Sequence, residues 1–483
     1  MSKHFILALD CGTTSVKALL ADAEGQVIVT TRNPIASHFP SPGRVEQDAE
    51  KLFHNCITTI QQALADAAIS PQDVGALGIT TQRASIVVFD RATGEPLAPM
   101  VIWSDVRGLD RAAELQNAGF MVWPQTPAAK LESVLAQIPD AHARAARGEI
   151  LFGTLDTYLA YRLSDGAIFA TDISSAWASG FSDYFQAGGV WNEGLLEHQG
   201  IPVRMLPKLC DSVGAFGTTS AKILGAEIPM TAIIADQQAG LFGHAALEHG
   251  GWKASFGTSA VVIAATGEMP GSPHHTMPPQ ALMRYAGTTK YCVEGMVITA
   301  GVLLEWLCQE MGLFHSPAAL AQAGGHSASN GVVIRPSLQG LGAPHGRFAA
   351  RGVIAGISPN TDRNAIARAA LEGIAVRTHE IITLMREAEL GGDYLPIDGG
   401  LTCSDAFCQI LADICQIPIR RHQVRDGAAF GAMVAAGLGA GIFTRAALPN
   451  LARYEEDFAP QISKDAAQAL ISAWRETLKD AAS

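Results

Sequence analysis

The stretch Ile234-Ala-Asp-Gln-Gln-Ala-Gly-Leu-Phe-Gly243 places one acid, Asp236, between an apolar run and a segment of small residues that can begin a helix. A carboxylate at the end of a buried strand is costly to desolvate, so it usually has an ionic partner or a chemical role. Asp236 could instead serve only as the N-cap of the following helix. A second segment, Leu7-Ala-Leu-Asp10-Cys-Gly-Thr-Thr-Ser15, repeats the arrangement with a glycine and hydroxyl turn after the acid. The two acids predict a cleft in which one serves a metal and phosphates and the other serves a substrate.

The composition is typical of a globular protein with more than one core. The chain has 483 residues, of which 48% are hydrophobic and 17% are charged, and this length favours two domains. A formal net charge of −12 without a basic stripe argues against nucleic acid and against anionic membrane surfaces as partners. The eight cysteines form no C-x-x-C pair, which favours reduced thiols over a zinc site. We expect no membrane span, no signal peptide and a cytoplasmic location.

The first half of the chain alternates strands with tight turns. Phe5 to Asp10 and Val16 to Asp22 are predicted to pair as a hairpin around the Cys11 to Ser15 turn. Ile86 to Asp90 and Pro99 to Trp103 flank a turn that contains a glycine, so they also predict a hairpin.

The second half repeats this plan loosely. Trp252 to Phe256 and Leu395 to Asp398 are predicted strands that run into glycine turns, and Asp405 to Cys415 is a predicted helix. Glycines and small residues between Gly243 and Gly251 suit a hinge. The sequence therefore predicts an α/β protein with domains at residues 1–243 and 244–483 and a cleft between them.

Four turns share one chemical pattern, in which a strand end is followed by glycine or small polar residues. They are Asp10-Cys-Gly-Thr-Thr14, Asp236-Gln-Gln238, Gly257-Thr-Ser259 and Asp398-Gly-Gly400. Glycines allow close approach of the backbone to phosphate oxygens, hydroxyls and amides donate to them, and a carboxylate can hold magnesium. One such turn is common, but four in this order across both halves indicate a nucleotide-binding enzyme.

That order, with its flanking sequence, resembles the FGGY family of carbohydrate kinases, and its glycerol kinases most closely. Further matching segments are Thr81-Gln-Arg83, Gly153-Thr-Leu-Asp-Thr157, Gly340-Leu-Gly-Ala-Pro344 and Gly427-Ala-Ala-Phe-Gly-Ala432. The resemblance covers essentially the whole chain. It implies the actin-like ATPase fold, which is ribonuclease H-like, with two domains and an interdomain cleft. It also implies transfer of the γ-phosphate of ATP to a primary hydroxyl of a small polyol or sugar.

The resemblance assigns a role to each candidate site residue. Asp236 would be the general base that takes the proton of the attacking hydroxyl, and Asp10 would serve Mg²⁺. The first domain would bind the acceptor through Gln82, Arg83, Trp103, Asp236 and Gln237. Phosphates would meet Gly12, including its amide, Thr13, Thr14, Gly257 and Thr258, and adenosine would meet Gly301, Glu305, Gly400 and Ser404. The family also implies a homodimer or another homo-oligomer, with a small molecule as the other partner.

The acceptor end of the site departs from the glycerol-kinase pattern Gln-Arg-Glu-Thr. This chain has Gln82-Arg83-Ala84-Ser85, so a methyl group stands where a carboxylate would accept hydroxyl hydrogen bonds. Loss of a buried acceptor costs a dependent substrate ~1–3 kcal/mol, and the smaller side chain leaves space. We therefore expect a substrate larger than glycerol, such as a tetritol, pentitol or ketose. Arg83 could alternatively be structural and paired with Asp105.

Two other functions remain open from the sequence. Pentulose kinases of the family usually carry a Met-His pair at the positions of Arg83 and Ala84, and its absence weakens that alternative. A non-catalytic actin-like nucleotide-binding protein would need no base beside the γ-phosphate. Retention of both Asp10 and Asp236 therefore favours the enzyme.

Overall fold

The computed structural model describes residues 5–183 and 189–480. The strands are β1 Phe5–Cys11, β2 Ser15–Asp22, β3 Val27–Pro34, β4 Glu46–Gln47, β5 Val74–Thr81, β6 Val87–Asp90, β7 Met100–Val101, β8 Ile150–Gly153, β9 Ala170–Asp172, β10 Lys208–Cys210, β11 Val213–Thr218, β12 Pro229–Ala235, β13 Trp252–Phe256, β14 Ala260–Gly267, β15 Pro279–Tyr285, β16 Thr288–Val297, β17 Val333–Arg335, β18 Val353–Ala355, β19 Leu395–Asp398, β20 Ile419–His422 and β21 Tyr454–Phe458. The α-helices are α1 Ala49–Asp66, α2 Leu109–Asn117, α3 Pro127–Leu135, α4 Ala141–Arg147, α5 Leu155–Leu163, α6 Ile173–Ala178, α7 Glu193–His198, α8 Ala221–Leu224, α9 Asp236–Gly243, α10 Gly301–Gln309, α11 Pro317–Gly325, α12 Arg363–Glu387, α13 Asp405–Cys415, α14 Gly427–Gly439, α15 Leu448–Leu451 and α16 Lys464–Asp480.

The described chain divides into two compact units. Unit 1 contains the described residues up to 243 together with 280–290 and 428–451, and unit 2 contains 244–279, 291–427 and the residues from 452. The sequence-based division assigned 280–290 and 428–451 to the second domain, whereas the structure places them in unit 1. Close packing explains the second segment, because a Cβ added to Gly431 would lie 1.7 Å from the Ala239 carbonyl oxygen. Contacts of this kind leave no local signal in the sequence.

A six-stranded sheet of unit 1 brings three strand ends to one edge. Its order is β11-β12-β5-β1-β2-β3, in which β5 runs parallel to both β1 and β12. Thr81 is the register partner of Cys11 on one side and of Ala235 on the other. Since carboxyl ends of parallel strands meet at the same edge, Asp10 and Asp236 lie two strands apart at that edge.

The residues of β1 explain why it lies in the centre of this sheet. Its run Ile6 to Leu9 is apolar and fully buried, as expected for a strand covered on both faces. Helix α1 covers the sheet with an apolar face that includes Leu52, Phe53 and Ile60. Asp48 accepts a hydrogen bond from the Lys51 amide at 3.0 Å and so caps the start of α1. The β1–β2 hairpin is confirmed over its predicted length.

The second predicted hairpin is mostly replaced by a longer-range pairing. Strand β6 pairs antiparallel with β8, and Val87 is the register partner of Gly153. Among the described residues, the predicted partner contributes one isolated bridge, between Ile86 and Val101, while β7 pairs with β4. A local turn signal cannot show that a distant strand offers a longer ladder.

In unit 2, the sheet again brings two glycine turns to one edge. Its neighbouring strands run β16-β14-β13-β19-β20-β21, and β13 is parallel to β19 with Ser255 opposite Asp398. The turns that follow β13 and β19 therefore lie side by side. The long helix α12 is buried along much of its length and packs with α11, α13 and β14.

In the part of the chain that the structure describes, none of the helices combines the length and the apolar character that crossing a membrane requires.

Candidate active site

The predicted base and the predicted substrate arginine are in contact in unit 1. Oδ1 of Asp236 lies 3.3 Å from Nε of Arg83 and accepts a hydrogen bond from the Gln237 amide at 2.7 Å. The side chain of Asp236 is 25% exposed. The carboxylate therefore remains accessible although it bonds an amide at the start of α9. Ala84, directly after the arginine, has a φ of +58°, a backbone conformation that only a few per cent of non-glycine residues adopt.

Asp105 is held by Arg107 rather than by Arg83. Oδ1 of Asp105 accepts from Nε of Arg107 at 2.8 Å, and Oδ2 accepts from Nη2 at 2.7 Å. Oδ2 also accepts from the Val45 amide at 2.7 Å. Both oxygens are occupied by these bonds, and Asp105 is fully buried. The structure therefore does not support a purely structural role for Arg83 as the partner of Asp105.

Gln280 is a site residue that the sequence analysis missed. Nη1 of Arg83 donates to Oε1 of Gln280 at 2.7 Å, and Nε2 of Gln238 approaches the same oxygen at 3.4 Å. The arginine and Gln280 are separated by 197 positions in the chain, and Gln280 belongs to no recognisable motif. No local pattern could have identified it.

Lys17 is a second residue that the sequence analysis missed, although a signal for it existed. Nζ of Lys17 donates to Oδ2 of Asp10 at 2.9 Å, and the two residues are register partners in the β1–β2 hairpin. The predicted hairpin already placed them opposite each other. Asp10 is only 2% exposed, so the ammonium group balances a buried charge.

A single carboxylate at the end of β1 fits magnesium that is held mainly by other oxygen ligands. Mg²⁺ is usually bound by one or two carboxylates together with water and substrate phosphates. Among the described residues there is no group of three or more His, Cys, Asp and Glu side chains that could hold a metal ion. Thr80, the register partner of Asp10, has a buried Oγ1 with no hydrogen-bond partner in the described part of the chain, so a further oxygen is available nearby.

The polar groups of Gln82 and Trp103 bind the Thr13 turn. Nε1 of Trp103 donates to Oγ1 of Thr13 at 2.9 Å, and this hydroxyl donates to Oε1 of Gln82 at 3.2 Å. Gln82 also donates to Gln47 at 3.0 Å, and Gln47 donates to the Thr13 carbonyl at 2.8 Å. Gln82 is 2% exposed. Both predicted substrate residues therefore help to shape the Thr13 turn.

Two other residues of that turn differ in their availability. The Gly12 amide, expected to face phosphates, donates instead to the Ser15 carbonyl at 3.1 Å and closes the turn. Thr14 is exposed, and its carbonyl accepts from the Ile35 amide at 2.8 Å. The accessible hydroxyl of Thr14 is therefore better placed than the Gly12 amide to meet a ligand.

A buried lysine supports the segment that carries Trp103. Nζ of Lys130 donates to the carbonyl oxygens of Ile102 at 3.0 Å and Trp103 at 3.2 Å. The lysine is completely inaccessible to solvent, and burial lowers the pKa of its ammonium group to about 7. Lys130 thus fixes the backbone of Trp103, whose indole bonds Thr13.

In unit 2 the Gly257 turn packs on the start of α10. The Gly301 amide donates to the Gly257 carbonyl at 3.0 Å, and the Val302 amide donates to the Thr258 carbonyl at 3.2 Å. A Cβ on Gly301 would lie 2.5 Å from the Gly257 oxygen, so only glycine permits this approach. The structure therefore brings Gly257, Thr258 and Gly301 together.

The turn after β19 packs equally closely on the end of β13. Gly399 has a φ of +100°, and a Cβ there would lie 2.5 Å from the Phe256 oxygen. The preceding Asp398 is fully buried. Burial alone raises the pKa of a carboxyl group, but Lys253 and a hydrogen bond with His244 at 3.0 Å hold the pKa of Asp398 well below its usual value. A permanent negative charge therefore anchors this turn.

The remaining predicted adenosine residues have unequal environments. Gly400 is exposed immediately after the close packing of Gly399, and Glu305 is exposed on α10. Ser404 is the N-cap of α13, where its Oγ accepts from the Phe407 amide at 3.2 Å. This bond accounts for a serine at position 404 without any ligand.

Family models match nearly the whole chain. The N-terminal domain of the FGGY family of carbohydrate kinases matches residues 5–243, and its C-terminal domain matches residues 252–440. The chain is 37% identical to a glycerol kinase of Thermus brockianus, in an alignment that covers 99% of this chain and 98% of that protein.

Solved structures show the same architecture. The chain is similar to a crystal structure of Plasmodium falciparum glycerol kinase with ADP, with a TM-score of 0.87 and 25% identity over 99% of this chain and 98% of that one. It is also similar to a ligand-bound xylulose kinase from Lactobacillus acidophilus, with a TM-score of 0.82 over 99% and 98% of the two chains. At 20% identity the second likeness shows the fold alone.

Proposed function

Because the chain belongs to the FGGY family of carbohydrate kinases, and is therefore a phosphotransferase with an alcohol group as acceptor, we propose that it phosphorylates a primary hydroxyl of a polyol or sugar larger than glycerol. The observation that carries this proposal is the contact between Arg83 and Asp236, in a chain that has alanine at position 84 directly after the arginine. This arrangement supplies a base and a hydroxyl-binding cation, with no carboxylate at position 84.

Asp236 acts in this proposal as the general base. Phosphoryl transfer depends mainly on positioning and charge compensation, and a carboxylate that takes the proton of the attacking hydroxyl contributes to both. Arg83 orients the carboxylate through Oδ1 and supplies further N–H donors to acceptor oxygens. Gln237 completes the proposed acceptor-binding group.

We assign the ATP phosphates to the two glycine turns. In unit 1, Thr14 would donate its accessible hydroxyl beside Thr13. In unit 2, Thr258 would donate beside Gly257, in the turn that packs on the start of α10. Asp10 would hold Mg²⁺ that arrives with the nucleotide, and the ion would offset charge on the phosphate oxygens. Lys17 orients the Asp10 carboxylate through its hydrogen bond to Oδ2. Gly400 and Glu305 are proposed to meet adenosine, and Ser404 caps the start of α13.

The direct test is ADP release by the purified protein with a panel of glycerol, tetritols, pentitols and ketopentoses. We expect a polyol or sugar larger than glycerol to give the highest kcat/KM. If no compound raises ADP release above the slow reaction with water, the kinase assignment is wrong. If a ketopentose gives a higher kcat/KM than every polyol, the protein is a pentulose kinase rather than a polyol kinase.

Substitution of Ala84 tests the reason given for the larger substrate. Ala84→Glu should raise the ratio of kcat/KM for glycerol to that for the best larger substrate, by roughly 5- to 100-fold, because it restores a hydroxyl acceptor and fills space. Ala84→Gln is the matched control, since it has the same length without the charge. An unchanged ratio in both variants would mean that position 84 does not contact the acceptor.

A further inference from the structure

The orientation of the Gln280 side-chain amide is fixed by its neighbours. Two donors converge on one of its atoms, Nη1 of Arg83 at 2.7 Å and Nε2 of Gln238 at 3.4 Å. Arginine has no acceptor, so this atom of Gln280 must be the carbonyl oxygen. The opposite assignment would place an NH₂ group against a guanidinium group.

The nitrogen of the same amide is left available by this arrangement. Nε2 of Gln280 donates to no atom of residues 5–183 or 189–480. It is also absent from the buried polar atoms without a partner in those residues, so it is accessible to solvent. The residue as a whole is half-buried. A polar N–H is therefore presented on a fixed side chain, which reduces the entropy that a ligand must overcome to bind it.

This nitrogen is linked to the proposed base through Arg83. Amide bond lengths place it about 2.3 Å from its own carbonyl oxygen, and therefore within about 5 Å of Nη1 of Arg83. The same guanidinium reaches Asp236 through Nε at 3.3 Å. A substrate that presents a primary hydroxyl to the carboxylate can thus present a more distant oxygen to Gln280.

We infer that Gln280 is a specificity-determining residue that donates a hydrogen bond to an acceptor oxygen further along the carbon chain than the hydroxyl that is phosphorylated. The inference rests on the proposed function and narrows its substrate class. The oxygen must offer a lone pair, as the carbonyl of a ketose or a hydroxyl of a polyol does. A site with a fixed donor discriminates strongly against analogues that lack the matching oxygen.

Two variants separate the donor role of Gln280 from its contact with Arg83. Gln280→Glu keeps an oxygen that can accept from the arginine but removes the N–H donor, whereas Gln280→Met removes both at nearly the same length. Kinetics of ADP release and calorimetric binding are measured with glycerol, with the best longer polyol and with the ketose of equal length. Gln137→Ala, at an exposed position of unit 1, is the control.

We expect both variants to lose roughly 5- to 100-fold in kcat/KM for the longer substrate relative to glycerol, with KM for ATP unchanged. A larger loss with the ketose identifies a carbonyl as the bound oxygen, and a larger loss with the polyol identifies a hydroxyl. If Gln280→Glu retains the ratio of the unsubstituted protein, the residue only holds Arg83 and the inference is wrong. If the unsubstituted protein neither binds nor phosphorylates any compound, the proposed function fails and the inference fails with it.

Discussion

Replacement of Lys130 by methionine should change how the stability of the protein depends on pH. The ammonium group is completely buried, and burial lowers its pKa to about 7. Asp105 opposes this shift, and the nearby positive charge of Arg107 adds to it. In the unfolded chain the pKa returns to about 10.4. Between these two values the unfolded state binds more protons than the folded state, so the free energy of unfolding rises with pH.

The size of the effect follows from the same two values. Well below pH 7 both the folded and the unfolded state carry the proton on Lys130. The cost of burying the ammonium group then lowers the free energy of unfolding in full. From pH 6 to pH 9 the folded state releases the proton while the unfolded state keeps it, which adds about 2–3 kcal/mol to the free energy of unfolding. Lys130→Met has no group that titrates there. The free energy of unfolding of the unsubstituted protein, minus that of Lys130→Met, should therefore increase by about 2–3 kcal/mol from pH 6 to pH 9.

The measurement is urea unfolding of both proteins at pH 6, 7, 8 and 9, followed by tryptophan fluorescence. Other titrating groups are common to the two proteins, so they cancel in the difference. Lys51→Met is the control, because the Lys51 side chain is 86% exposed and burial cannot make its effect depend on pH. A difference for Lys130→Met that stays constant within about 0.5 kcal/mol from pH 6 to 9 would refute the assignment of a buried, titrating amine.

Two further substitutions test the catalytic and nucleotide-binding assignments. Asp236→Asn should lower kcat by about 10²- to 10⁴-fold, the usual contribution of a general base, while calorimetry shows nucleotide and acceptor affinities within a few-fold; near-normal turnover would show that Asp236 is not the base. Gly301→Ala should raise KM for ATP by roughly 5- to 100-fold, because its Cβ would lie 2.5 Å from the Gly257 oxygen and must displace the turn. Gly392→Ala, where a Cβ meets nothing within 4 Å, should leave KM unchanged, and equal effects of the two alanines would contradict the proposed role of the turn.

The features that the sequence predicted well are those set by local pattern. The β1–β2 hairpin has a continuous apolar strand, a glycine turn and a second apolar strand, and its register pairs Asp10 with Lys17. The α13 helix begins and ends as its apolar periodicity predicts. The contact between Arg83 and Asp236 agrees with the resemblance, which assigned both residues to the acceptor-binding group.

The features that the sequence could not predict depend on contacts between distant segments. Gln280 reaches Arg83 only because residues 280–290 pack in unit 1. Lys130 lies on a short amphipathic helix whose sequence does not distinguish a buried amine from a solvated one. Burial of the Lys130 amine is tolerated because the carbonyl oxygens of Ile102 and Trp103 accept its hydrogen bonds. Both partners accept through backbone carbonyl oxygens, which no side-chain pattern marks, so only the folded chain identifies the interaction.

The two residues after β5 suggest how acceptor specificity is separated from the Thr13 turn in the proposed function. Gln82 and Arg83 directly follow the end of β5, and their side chains contact different groups: Gln82 bonds the Thr13 turn, whereas Arg83 bonds Asp236 and Gln280. Gln82 is buried and its amide is held by two side chains, so substitutions there should disturb the turn. The side of Arg83 and Gln280 remains partly exposed, so changes there alter hydrogen bonds to the acceptor. We therefore expect substitutions of Arg83 to alter acceptor choice and substitutions of the adjacent Gln82 to alter the Thr13 turn.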